Sequence, residues 1–93
     1  MTDITSTSTK SEAVIGNVKI LIYETPTSAE TSDTIDVDLD GGTNGISEIA
    51  SVTMRQTAGA DTTALQASWS ATTGVITLPT INTAKHYVVV MGY

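Results

Sequence analysis

Residues 85–93, Lys-His-Tyr-Val-Val-Val-Met-Gly-Tyr, are the most hydrophobic and most β-branched run of the chain. An uninterrupted apolar run of this kind predicts a strand buried on both faces, because Val and Tyr fit a pleated surface and no position is left for a wet side. The remaining residues then have to supply strands that cover it.

The rest of the chain offers such strands. Residues 14–24 predict a first strand with two largely apolar faces: Val18, Ile20 and Ile22 on one, Lys19, Leu21 and Tyr23 on the other. Gly16-Asn17 within it is read as a bulge or a bend, and Pro26 ends it. Residues 33–40 alternate strictly, with Ile35, Val37 and Leu39 inward and Asp36, Asp38 and Asp40 outward. A Gly-rich loop follows at 41–45, then a strand over 49–57. Residues 65–71 alternate again, placing Leu65, Ala67, Trp69 and Ala71 together, and Thr72-Thr73-Gly74 turns the chain into a partner strand at 75–78. A final strand is expected over 84–92. No helical period of useful length and no internal repeat is visible. The expectation is all-β: a small antiparallel sandwich or barrel, Ig-like or jelly-roll-like, of about six to eight strands.

Residues 1–12 are rich in Ser and Thr with almost nothing to bury, and predict a flexible arm; residues 13–93 form the single β domain. At 93 residues such a domain buries only about 60–65% of its unfolded surface and is marginal alone. There is no Cys, so disulfides and thiolate metal sites are excluded. There is no Phe and one Trp, which leaves a thin core of Val, Ile, Leu and Ala. Partner surfaces are the expected source of added stability.

Charge narrows the partners. The net charge is −6, with four Lys and Arg against ten Asp and Glu. Phosphate contacts need clustered cations, so neither nucleic acid nor an anionic membrane is an expected partner. No apolar run approaches the ~20 residues of a membrane-spanning helix. No basic segment leads into an apolar one at the amino end, so synthesis in a cytoplasm without secretion is expected.

Asp36-Val37-Asp38-Leu39-Asp40-Gly41 matches the opening of a calcium loop, and Asp36, Asp38 and Asp40 are the candidate metal ligands. Against calcium, Ser47 stands where the bidentate acid belongs. In a strand the three aspartates would also lie ~6.6–7 Å apart. The alternative is a solvated acidic face that protects an edge or meets a basic partner. His86 is the single histidine, with no nucleophile elbow elsewhere, and is read as structural; no catalytic residue is expected and the chain is not read as an enzyme. Trp69, Tyr23, Tyr87 and Tyr93 are the candidates for an aromatic sugar platform, with Trp69 read as core and Tyr93 as the most exposed.

Several stretches line up with a known pattern. A polar arm precedes Ser32-Asp33-Thr34-Ile35-Asp36-Val37. Gly45-Ile46-Ser47-Glu48-Ile49 follows, then the hairpin Ala71-Thr72-Thr73-Gly74-Val75-Ile76-Thr77-Leu78. The chain ends in Tyr87-Val88-Val89-Val90-Met91-Gly92-Tyr93. In texture and order, from residue 14 to 93, this resembles the small all-β structural proteins of tailed bacteriophages, about this size and encoded beside the capsid genes. The resemblance implies a virion component, a head decoration or cement protein on the capsid surface, made in the host cytoplasm. It implies the major capsid protein as partner and a homo-oligomer, trimer or dimer. Two alternatives stay open: an adhesion or carbohydrate-binding module of a tail or neck, and a calcium-stabilised β domain.

Overall fold

The computed structural model describes residues 2–39, 45–57 and 65–93. Among them lie eight strands and no helix: β1 (Thr9–Ile15), β2 (Val18–Glu24), β3 (Thr34–Asp36), β4 (Ile49–Gln56), β5 (Leu65–Gln66), β6 (Ser68–Trp69), β7 (Val75–Thr77) and β8 (His86–Gly92). They form two sheets, ordered β1-β2-β8-β4-β5 and β3-β7-β6, and every strand pair within them is antiparallel. The expected all-β class is therefore present, in its sandwich form.

The apolar run at the chain end becomes β8, the central strand of the larger sheet, flanked by β2 and β4 along its length. Its inward residues Val88 and Val90 are fully buried, as are Leu21 of β2 and Val52 of β4. The smaller sheet closes the core from the other side with Ile35 and Ile76, joined by Val37, Leu78, Ile46 and Ala29. Ile35 and Val37 point inward as the alternation predicts. The strand is shorter than 33–40, however, because Asp38 takes a positive φ of 61° and ends the extended run.

Three expectations change. The single strand over 14–24 is a hairpin: β1 and β2 pair from Thr9↔Glu24 to Ile15↔Val18 around the two-residue turn Gly16-Asn17. Only Gly16 has positive φ there (62°), the signature of a type II′ turn, which needs Gly at its first position. The strand over 65–71 is split. Leu65–Gln66 pairs with β4 in one sheet and Ser68–Trp69 with β7 in the other, with Ala67 buried where the chain crosses between sheets. An alternating run looks the same in sequence whether it stays in one sheet or changes layer.

The third concerns residues 1–12, expected as a flexible arm. Ile4 is buried and belongs to the core cluster. Thr34 accepts from the Ile4 amide and donates to the Thr2 carbonyl, at 2.9 and 2.8 Å. The buried Asp33 carboxylate takes the Thr2 amide on one oxygen and the Glu30 amide on the other. One apolar side chain and a short parallel bridge at Asp3↔Thr34 tie its first residues down, and β1 begins within it at Thr9.

Candidate interaction surface

β8 is not covered on both faces, contrary to the expectation from its composition. Tyr87 and Met91 are about 40% exposed and Val89 half-buried, while His86, Val88, Val90 and Gly92 point into the core. Register fixes their neighbours, since directly opposed residues share a face. Met91 lies beside Ile20 and Ser51, Val89 beside Ile22 and Thr53, and Tyr87 beside Glu24 and Arg55. Beyond β2, Ser11 opposes Ile22 and Ala13 opposes Ile20. The outer face of the large sheet is thus a continuous apolar plane of Ile20, Ile22, Tyr87, Val89 and Met91. A depression of ≈ 400 Å³ opens on it, bordered by Ile22, Arg55, Gln56, Thr57, Tyr87 and Val89.

The smaller sheet covers only the inner face. A chain of this length has strands enough to close one side of β8, and that count is the signal in the sequence that a buried-both-faces reading passes over.

The cations are distributed unevenly. Lys10 and Lys19 both reach Glu12, at 3.2 and 3.5 Å, and Lys85 reaches Glu24 at 3.1 Å. The Lys10 hydrogen bond, helped by Lys19, holds the Glu12 carboxyl below its ordinary range. Arg55, the fourth basic residue, makes no ion pair among the described residues. It stands exposed at one end of the apolar plane.

The hairpin β1–β2 carries a second exposed feature. All seven residues of β1 are exposed, and Val14 and Ile15 beside the turn are 67% and 68% exposed. β1 is an edge strand, so one row of its backbone groups is open to pairing.

Of the candidate metal ligands, Asp36 closes β3 and Asp38 follows it on the turn. Asp36 Oδ1 accepts the Asp38 amide at 2.9 Å, closing a local turn. The third candidate, Asp40, lies outside the described residues. Among the described residues no three Asp, Glu, His or Cys side chains group as a metal would require. His86 is fully buried, its Nδ1 3.0 Å from the Ala84 carbonyl. The aromatic candidates are scattered. Tyr23 is buried, and Trp69 packs partly buried against the core. The exposed Tyr87, near the start of β8, and Tyr93, just past its end, are six residues or about 20 Å apart, too far to make one platform.

No family model, no curated protein and no solved structure matches the chain.

Proposed function

We propose that this chain is a structural protein of a virus particle, a decoration or cement protein that binds the major capsid protein on the outside of a tailed-phage head and performs no reaction. The observation that carries the proposal is the β1–β2 hairpin. It offers an open strand edge and an apolar tip on an acidic domain; the tip, Val14 and Ile15, holds the two most exposed large hydrophobics among the described residues. Addition of a neighbour's strand to an exposed edge gives main-chain hydrogen bonds, and apolar tip residues give the contact its position. Binding to an assembled lattice also stabilises a small domain by mass action, as a thin core requires.

The test is co-sedimentation with expanded heads of the phage whose capsid genes neighbour this gene. The expected result is saturable binding at a fixed ratio to the capsid subunit, lost in the Val14→Asp, Ile15→Asp double variant, with the circular dichroism spectrum unchanged. No sedimentation of the unaltered chain with any such head overturns the role.

A further inference from the structure

We infer that the outer face of the five-stranded sheet binds a second copy of this chain, in a face-to-face dimer whose two-fold axis runs along β8. The inference specifies the oligomer of the structural role proposed above and rests on that reading only for its biological setting; the contact itself is argued from the sheet.

Charge placement selects the partner and the axis. Glu24, Tyr87 and Arg55 lie in one row across β2, β8 and β4, so the anion and the cation sit symmetrically on either side of β8. A two-fold axis lying in the interface along β8 places β2 of one copy over β4 of the other. Glu24 then faces Arg55 of the second copy, and Arg55 faces its Glu24. Lys85 occupies Glu24 Oε1, which leaves Oε2 for the incoming guanidinium. The same operation sets Tyr87, Val89 and Met91 along the axis against their own copies, and Ile20 and Ile22 over the small side chains Ser51 and Thr53. Two sheets packed this way lie within about 30° of parallel, the angle that their twist produces.

The rest of the surface fits the same partner. The chain carries ten acidic residues, yet Glu24 is the one acid among the paired outer-face positions of β2, β8 and β4. Two chains of net charge −6 can approach through that face with little like-charge repulsion. Arg55, the cation without an ion pair among the described residues, gains one. The three strands β2, β8 and β4 at about 4.8 Å spacing and seven residues at about 3.4 Å give roughly 340 Å² per copy. The total of about 700 Å² is well below the standard for permanent complexes and belongs to a weak, reversible, concentration-dependent dimer.

The test is sedimentation velocity on the purified chain from micromolar to millimolar concentration. A monomer–dimer equilibrium is expected. Val89→Lys, at the centre of the face, should abolish it. Arg55→Glu and Glu24→Arg should each weaken the dimer on the order of tenfold or more, because each sets like charges opposite one another twice. Mixing the two single variants should restore association, since the heterodimer faces Glu24 with Arg55 at one contact and the swapped pair at the other. A change confined to one chain's own fold could not be repaired by mixing. A monomer at all concentrations, a trimer, a dimer indifferent to Val89→Lys, or mixed variants that stay apart would each overturn the inference. Capsid binding by a strictly monomeric chain would sink the dimer and leave the structural role standing; a dimer that ignores capsids would do the reverse.

Discussion

Thr25 and His86 hold each other through two buried hydrogen bonds: the His86 amide donates to Thr25 Oγ1 at 2.8 Å, and the Thr25 amide donates to the His86 carbonyl at 2.9 Å. Both residues are about fully buried. The pair continues the β2–β8 ladder one step past Glu24↔Tyr87, at the point where Pro26 ends the strand. A side-chain hydroxyl here replaces a backbone carbonyl as the acceptor.

Thr25→Val keeps the shape and removes that acceptor, leaving the His86 amide buried without it. The expected loss is about 1–3 kcal/mol of unfolding free energy, the cost of an unsatisfied buried donor. Thr25→Ser should keep most of the stability. Urea unfolding of the three proteins checks this, and equal midpoints for Val and Thr would contradict it.

Gly92 is required by a crossing of chains. A Cβ at this position would meet the Glu48 carbonyl oxygen and come within 2.7 Å of Ile46 Cγ2. The segment before β4 is held there because the Ser47 and Glu48 amides donate to the Tyr93 carbonyl and the Tyr93 amide returns a bond to Glu48. Gly92→Ala should therefore destabilise by about 1–3 kcal/mol, the usual penalty of overpacking, and should shift the amide resonances of residues 46–48 more than any others. A neutral effect would mean that this crossing is loose.

The anchoring of the amino-terminal segment gives a third prediction. Ile4→Ala removes most of a buried side chain and should cost about 2–4 kcal/mol. Asp33→Ala, which strips the acceptors of the Thr2 and Glu30 amides, should act in the same direction. A frayed arm would show neither loss, and the segment would be cut by protease without unfolding of the remainder.

The sequence made the inward faces legible where a strand alternated without interruption. Ile35 and Val37 follow from period-two alternation, and the hairpin after Trp69 from its turn residues. The strand over 49–57 is legible only as a strand, because a register shift at its start puts the buried Ile49 and Val52 three residues apart. Other features lay beyond that signal for physical reasons. Gly16-Asn17 sits between two apolar stretches, so a turn and a bend look alike until pairing partners are known. Ile4 is a single apolar residue in a polar segment, too little to make a pattern. The outward residues of β8 are as apolar as the inward ones, and composition alone does not distinguish a face that the chain's own second sheet covers from one that it leaves exposed.

Acid should loosen the amino-terminal segment first. Thr5 Oγ1 accepts the Asp36 amide at 2.8 Å and donates to Asp3 Oδ1 at 2.6 Å, while the Thr5 amide donates to the same carboxylate oxygen at 3.0 Å. These bonds from Thr5, the hydroxyl foremost, lower the Asp3 pKa below its ordinary 3.8. A carboxyl whose pKa is lower in the folded state favours folding above the unfolded value, and that contribution disappears as pH falls through the folded one. The effect therefore lies below about pH 4, and it is small because Asp3 is exposed and screened by water. Protonation removes the charge that strengthens both bonds from Thr5, so the Thr5 hydroxyl is held less firmly and the Asp36 amide has a less well-aligned partner. Hydrogen exchange at Asp36 should quicken relative to Val88 and Val90 in the core as pH drops from 5 to 3, after correction for the intrinsic pH dependence of exchange. Asp3→Ala, which removes the accepting oxygen altogether, should show the faster Asp36 exchange already at pH 5 and lose the acid-dependent step. Equal protection of Asp36 in both proteins across that range would break the link between this carboxylate and the edge of the smaller sheet.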